Sequence, residues 1–391
     1  YGDHLIRSLA SCGSFCEAHH VFSVLPCRTV HTWHAIMSAS TKLGDGHAAL
    51  MFFDHMYSQG ISPDKYVVTC YFKACGLVKD LHRAMVMHNV VMTDGHDSSE
   101  AVGSALIDMY MMCDRIDEGL RVFETLSCRD VVSWETAISG LVGKSDGLRA
   151  IGLFEKMLRE GVEPTKVGYF SVFKACRITG SISYGMQIHA LLIENKEQMD
   201  SKVANTLIDM YTCDVGSLDD AYKVFISVPD RDIVSWCVII AGYAQHEHGH
   251  VALGLFKKML TVGVNPDKVV FLCVLKACEG LESLRHGQMI HYLIVQFGIV
   301  SDVVLINTLA DMYAKCGGII EARRLFDQLP NPTEVSCNAI IGGYARDGDV
   351  EQVMEIYKYM KKLGLEPTIA TYILMLKAFK SIGGIKQGRT I

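Results

Sequence analysis

Ala150-Ile151-Gly152-Leu153-Phe154-Glu155-Lys156-Met157, running on to Gly161-Val162-Glu163-Pro164, decides the fold. Ala150, Leu153, Phe154 and Met157 fall at i, i+3, i+4 and i+7, which is one buried helical stripe. Gly161 permits a left-handed cap, and Pro164 prevents continuation. Residues 252–259 repeat the stripe and are followed by Gly263-Val264-Asn265-Pro266; residues 322–329 repeat it again. Each stripe carries an aromatic anchor. Phe22, Phe53, Phe123, Phe154, Phe225, Phe256, Phe326 and Tyr357 are separated by 31, 70, 31, 71, 31, 70 and 31 residues. His88, His189 and His291 divide the long gaps almost in half. The chain therefore cycles through units of about 31, 35 and 35 residues, a super-repeat of 101.

Other positions keep the same phase. Trp33, Trp134, Trp236 and Cys337 are 101, 102 and 101 apart, as are Pro63, Pro164, Pro266 and Pro367. Every gap of 102 crosses residues 211–221, so one inserted residue in Thr212-Cys213-Asp214-Val215-Gly216-Ser217 accounts for them. The segment before each stripe, such as residues 134–141, forms a partner helix. Glycine-rich turns divide the two, as at Gly143-Lys144-Ser145-Asp146-Gly147, Gly317-Gly318 and Gly348. A hairpin of this length cannot bury both faces alone, so neighbours must stack into an all-α solenoid. Periodicity does not fix its hand.

Half of the 391 residues are apolar and a fifth are charged, with a net charge of −6. That balance gives bulk-charge binding of nucleic acid no support. No run is long and apolar enough to cross a membrane, and no targeting pattern opens the chain. Tyr1 enters partway into a repeat and Ile391 leaves partway through another, so the chain reads as a fragment. The 14 cysteines follow the period: Cys75, Cys176 and Cys278 recur in Lys-Ala-Cys, and Cys12, Cys113 and Cys316 share another position. Small buried thiols in a reducing compartment account for them.

Val132-Ser133-Trp134…Ile138-Ser139-Gly140, Ala150…Phe154…Met157 and Gly161-Val162-Glu163-Pro164 together resemble the pentatricopeptide repeat (PPR). Leu275-Lys276-Ala277-Cys278…Gly287-Gln288…Ile290-His291 is similar to its long variant. Residues 307–317 with Ala322-Arg323-Arg324-Leu325-Phe326 are similar to its short variant. The alternating triplet resembles the PLS class of plant organelles, including RNA-editing specificity factors. That resemblance implies a right-handed superhelix of stacked hairpins. It divides the chain into one continuous array. Residues 1–29 are a partial short unit, and residues 30–64, 131–165, 233–267 and 334–368 are P-type. Residues 65–99, 166–200 and 268–302 are long; 100–130, 201–232 and 303–333 are short; 369–391 are a partial long unit.

The resemblance further implies single-stranded RNA as partner, with about one base read per repeat. One reader lies early in the first helix, and the other is the last residue of the repeat. The pairs are His34 with Asp64, Thr69 with Ser99, Ser104 with Asp130, and Glu135 with Thr165. Phe170 with Asp200, Asn205 with Asp232, and Cys237 with Asp267 follow. Leu272 with Asp302, Asn307 with Thr333, and Asn338 with Thr368 complete the set. An ionised carboxylate only accepts hydrogen bonds, so a reader Asp favours uracil or guanine over adenine or cytosine. With family usage, Ser104 and Asp130 imply G, and Asn205 and Asp232 imply U. Asn307 with Thr333 and Asn338 with Thr368 lean to pyrimidine. His34, Glu135, Phe170, Cys237 and Leu272 depart from the usual readers, and Glu135 places an anion near RNA.

Structural roles compete at several positions. Asp130 and Asp232 suit helix N-caps, a role compatible with base reading. His88, His189 and His291 lie on separate hairpins and read as packing; His246-Glu247-His248-Gly249-His250 reads as a solvated turn. Cys12, Cys16, His19 and His20 likewise read as packing, so no metal site is expected. Lys73, Lys174, Lys276 and Lys377 recur in phase and suit either phosphate contact or apolar stems over the surface. Phosphate-binding glycine loops, HExxH, GxSxG and the zinc deaminase signature are absent. The expectation is a binding protein without enzymatic activity or cofactor, acting in a chloroplast or mitochondrion. Its task would be site recognition for RNA processing, C-to-U editing above all, with editing cofactors or a deaminase-bearing protein as further partners. The alternative is a helical scaffold for proteins.

Overall fold

The computed structural model describes residues 2–25, 27–93, 100–195, 199–299, 302–329 and 331–381. Among these residues there are 23 α-helices and one 3-10 turn, with no strand. They fall into two compact units, Tyr1–Met199 and Asp200–Ile391.

In the first unit, hairpins pair Val30–Lys42 with Gly46–Ser58, Lys65–Val78 with Leu81–Thr93, and Glu100–Met112 with Ile116–Thr125. Val131–Gly143 with Gly147–Arg159 and Lys166–Thr179 with Ile182–Glu194 continue the series. Within the unit, each first helix packs on its own second helix, and each but the last packs on the next first helix. The second unit repeats this from Ser201–Tyr211 with Leu218–Ser227 to Glu334–Asp347 with Val350–Lys362. The residue inserted after Tyr211 is accommodated by the 3-10 turn Val215–Ser217.

Local chemistry sets the helix ends. Asp64, Asp130, Asp200, Asp232, Asp267 and Asp302 each accept a backbone N–H of the first helix they precede. Thr29, Thr165 and Thr333 do the same with a hydroxyl. Gly180 and Gly348 end first helices in the left-handed conformation, with φ of 69° and 75°.

A three-residue staple fixes the first three junctions from a short unit to a P-type unit. Phe22, Phe123 and Phe225 meet Trp33, Trp134 and Trp236 edge to face, with centroids 4.8, 4.7 and 4.8 Å apart. Arg28, Arg129 and Arg231 lie over the phenylalanine rings. Their Nε atoms donate to the carbonyls of the same phenylalanines at 3.2, 3.1 and 2.9 Å. At the fourth junction Phe326 remains, but Pro332 and Cys337 stand in the arginine and tryptophan places.

Candidate nucleic-acid interface

The first-helix residue of each expected pair is the fifth of its helix, one turn in. Its expected partner, among the described residues, caps the next first helix. Within each unit, stacking of successive first helices sets these two places side by side. Asn205 Nδ2 donates to Asp232 Oδ1 at 3.3 Å. Asn338 Nδ2 donates to Thr368 Oγ1 at 3.4 Å, and Asn338 Oδ1 accepts from Thr371 at 2.8 Å. Glu135 accepts from Thr165 Oγ1 at 2.7 Å and from Thr165 N at 2.8 Å.

The cap role and the pairing coexist at Asp232, whose Oδ1 also accepts from Ser235 N and Ser235 Oγ, each at 2.8 Å. Partial burial raises its pKa, but the Ser235 and Asn205 hydrogen bonds outweigh that, and the carboxyl sits below the usual range. Asp232 is therefore an ionised acceptor at neutral pH. Asp130 caps its helix through Ser133 N at 2.8 Å. Ser104 and Asn205 are 7% and 8% exposed, and Asn307 is half-buried. Ser104 Oγ, Asn205 Oδ1 and Asn307 Oδ1 are buried and make no hydrogen bond.

Glu135 does not present a free anion. Its carboxylate, 7% exposed, is enclosed by Thr165 and by Gly168 N at 3.0 Å. Gly168 leaves room for this approach, since a Cβ there would stand 2.9 Å from Glu135 Oε1 and 3.0 Å from Pro164 Cβ. Sequence spacing gave no sign of this bond, because Gly168 lies in the next repeat. The neighbouring Cys273 thiol, with burial, pushes the half-buried Cys237 thiol up. The His34 ring lies 5.8 Å from that of Tyr66, and burial lowers its pKa. Thr69 Oγ1 donates to Lys65 O at 2.7 Å. Phe170 and Leu272 are half-buried and bring no hydrogen-bonding side chain. Asp200 and Asp267 cap their helices through Val203 N and Val270 N, each at 2.9 Å. Asp302 caps its own and takes Lys268 Nζ at 2.7 Å, which holds its carboxyl below the usual range. Asp64 caps through Val67 N at 2.9 Å, and Thr333 through Ser336 N at 3.3 Å. Ser99 lies outside the described residues.

Two grooves run along the first-helix face, one in each unit. The first, of about 870 Å³, is lined by Thr69, Lys73, Ser104, Asp108, Glu135 and Lys144, among others. Lys144 pairs with Asp114, and burial raises the Asp108 carboxyl while Lys73 opposes the shift. The second, of about 600 Å³, brings Asn338 beside Lys315, Arg346 and Lys377, with Asp311 as its one carboxylate. Neither groove is dominated by acids, although the whole chain is acidic. Lys73, Lys174, Lys276 and Lys377 are all exposed.

The histidines of the long units are half-buried rather than wholly in the core. His88 and His291 hydrogen-bond Tyr110 and Tyr313 through Nδ1 at 2.8 and 3.0 Å. His246–His248 form a turn, while Gly249 and His250 already belong to the helix Gly249–Thr261. Among the described residues, no group of His, Cys, Asp or Glu is arranged to hold a metal ion.

Stacked helical hairpins define an α-solenoid repeat protein. The "PPR repeat" profile matches residues 31–61, 132–162, 234–264 and 304–331, and that of the "PPR repeat family" matches residues 332–381. A chloroplastic pentatricopeptide repeat-containing protein of Arabidopsis thaliana is 32% identical over 362 residues, covering 93% of this chain and 58% of the relative. A putative pentatricopeptide repeat-containing protein of the same plant is 31% identical over 381 residues, covering 95% of this chain and 67% of the relative. The maize pentatricopeptide repeat protein PPR10, in complex with an 18-nt psaJ RNA element, matches the fold with a TM-score of 0.81. That match has 17% identity and covers 100% of this chain and 59% of PPR10. The chain belongs to the pentatricopeptide repeat family. It spans little more than half the length of the first curated relatives it matches, 58% and 55%.

Proposed function

We propose that this chain is a sequence-selective single-stranded RNA-binding array with about one base per repeat, divided into units as the sequence suggests. Its task would be site recognition in organellar RNA processing, C-to-U editing above all, with any deaminase supplied by a partner or another part of the protein. The observation that carries the reading is the Asn205–Asp232 pair, joined at 3.3 Å between one first helix and the cap of the next. It combines an ionised carboxylate with an unpaired buried amide oxygen, Asn205 Oδ1. Both accept hydrogen bonds, so the partner must offer N–H donors, as uracil and guanine do at N3 and N1. The RNA-bound PPR10 with the same fold supports RNA as that partner. Arg346 and Lys377 of the second groove supply cations for a phosphate backbone, while Lys315 is held by Glu279 and Asp311. Relatives named chloroplastic or mitochondrial support an organellar setting.

Fluorescence anisotropy with unstructured RNA tests the proposal. The parent chain should bind a U-containing oligonucleotide more tightly than one with C at the same place. The Asn205→Ala/Asp232→Ala variant should lose the difference. Equal binding of both oligonucleotides by parent and variant would remove the base-reading assignment.

A further inference from the structure

Lys315 is the last residue of the first helix Val303–Lys315 and lines the second groove with Asn338, Gly342, Arg346 and Lys377. Its ammonium does not stand free there. Nζ donates to Glu279 Oε2, on the preceding first helix, at 2.9 Å, and to Asp311 Oδ2, one turn back in its own helix. Glu279 is the deeper of the two acids, its side chain 15% exposed against 34% for Asp311. Burial raises the Glu279 carboxyl, and Lys315 opposes the shift. On the other side, Arg346 Nη1 donates to Ala314 O at 3.2 Å and to Lys315 O, which holds the two cationic residues next to one another.

Stacking of the helices does not require this cluster. In the first unit, Gly76 and Met112 stand at the places of Glu279 and Lys315, after Lys73-Ala74-Cys75 and Asp108-Met109-Tyr110. They meet without charge, and a Cβ on Gly76 would lie 2.8 Å from Met112 Sδ. Burying a glutamate against a lysine carries a desolvation cost that an apolar contact avoids. Packing alone therefore gives no reason for a charged pair here. Charge does. Glu279, Asp311 and Lys315 together carry a net −1, so the lysine brings this part of the groove no net attraction for a phosphate. Without the Glu279 charge, Lys315 would keep only Asp311, four residues back on a partly exposed helix face. Such pairs are weak, so a phosphate can compete for the lysine.

We infer that Glu279 masks Lys315, holding its ammonium off the phosphate backbone of bound RNA and so limiting the affinity of the second unit without touching a base. The inference rests on the RNA-binding reading above and goes beyond it. In the parent chain the groove meets phosphate through Arg346 and Lys377, and Lys315 is a cation withheld. A phosphate contact carries no sequence information, so the mask acts alike on every RNA.

The test is an anisotropy titration of oligouridine and oligocytidine over a range of salt. Glu279→Gln keeps the side-chain shape and an oxygen for Lys315. It should steepen the slope of log K against log salt by about 0.7, the value of one added contact on a single strand. Over the tenfold range below molar salt, that slope amounts to about fivefold tighter binding, by the same factor for both RNAs. Glu279→Gln/Lys315→Met restores the parent's net charge, with methionine as at Met112, and should return the slope to the parent's. Glu282→Gln removes an equal charge from an exposed side chain and should leave the slope as it is. An unchanged slope in Glu279→Gln overturns the inference. So does a gain that survives in the double variant, or an equal gain in Glu282→Gln, since net charge alone would then account for it. Absence of binding by the parent and every variant removes the RNA reading and the inference with it, a result distinct from the others.

Discussion

The Glu135 carboxylate accepts from the Thr165 hydroxyl at 2.7 and 2.9 Å, tying the fifth residue of one first helix to the cap of the next. Thr165 N and Gly168 N complete the cluster at 2.8 and 3.0 Å. A residue placed to read a base instead joins two repeats. Glu135→Ala leaves two backbone donors without an acceptor, at about 1–3 kcal/mol for each one that stays buried. We expect a lower urea midpoint for Glu135→Ala, with Glu135→Gln milder because an acceptor oxygen remains. Equal midpoints for Glu135→Ala and the parent would show that water replaces the carboxylate at no cost.

This bond also marks where the sequence stops being informative. The stripes around Phe123, Phe154 and Phe225, and the prolines closing each P-type unit, announced hairpins and their phase. They did so because periodicity is a local property of one helix. The placing of Asn205 beside Asp232 was implied by the family resemblance once the register was set. Capture of Glu135 by Gly168 was not, because it depends on a missing Cβ one repeat away. Nor did register distinguish Asn205, with an open amide oxygen, from Asn338, bonded at both ends. Thr371 makes that difference, and it too belongs to the following helix.

The Arg–Phe–Trp staple predicts uneven stability along the array. Arg129 donates to Phe123 O at 3.1 Å and Glu124 O at 2.9 Å, while its guanidinium covers the Phe123 ring. Arg129→Ala should cost about 1–2 kcal/mol through the two lost hydrogen bonds and the ring contact. Trp134→Ala should cost more, about 3–5 kcal/mol, by opening a cavity in the core. Pro332 and Cys337 leave the fourth junction without this staple. Hydrogen exchange should therefore show faster amide exchange in Glu334–Asp347 than in Val131–Gly143, and the reverse order would count against the staple.

His88 and His291 predict a pH dependence of stability. Burial lowers both pKa values below the ordinary 6.5. Between the lowered value and 6.5 the unfolded chain binds more protons, so stability is full above about 6.5 and falls as pH drops. Asp108 and Glu279 act in the opposite sense. Burial raises their pKa values, so they favour the fold when protonated and lose that contribution as pH rises through the raised value. The melting temperature should fall from about pH 7 to pH 5.5, where the histidines dominate. His88→Gln/His291→Gln should flatten the decline. An unchanged slope in the double variant would assign the effect elsewhere.

Lys377 separates affinity from selectivity. It is exposed in the groove beside Asn338, in the same phase as Lys73, Lys174 and Lys276. A lysine on a phosphate releases counterions when RNA binds, and the salt slope for single strands falls by about 0.7 for each such contact removed. Lys377→Ala should therefore reduce the slope of log K against log salt by about 0.7 and weaken matched and mismatched RNAs by the same factor. Asn205→Ala should do the opposite, erasing discrimination while leaving the slope in place. Titration of both variants between low and moderate salt distinguishes the roles. If Lys377→Ala leaves the slope untouched, the lysine stem serves to cover apolar surface, and the backbone contact must lie elsewhere on the face.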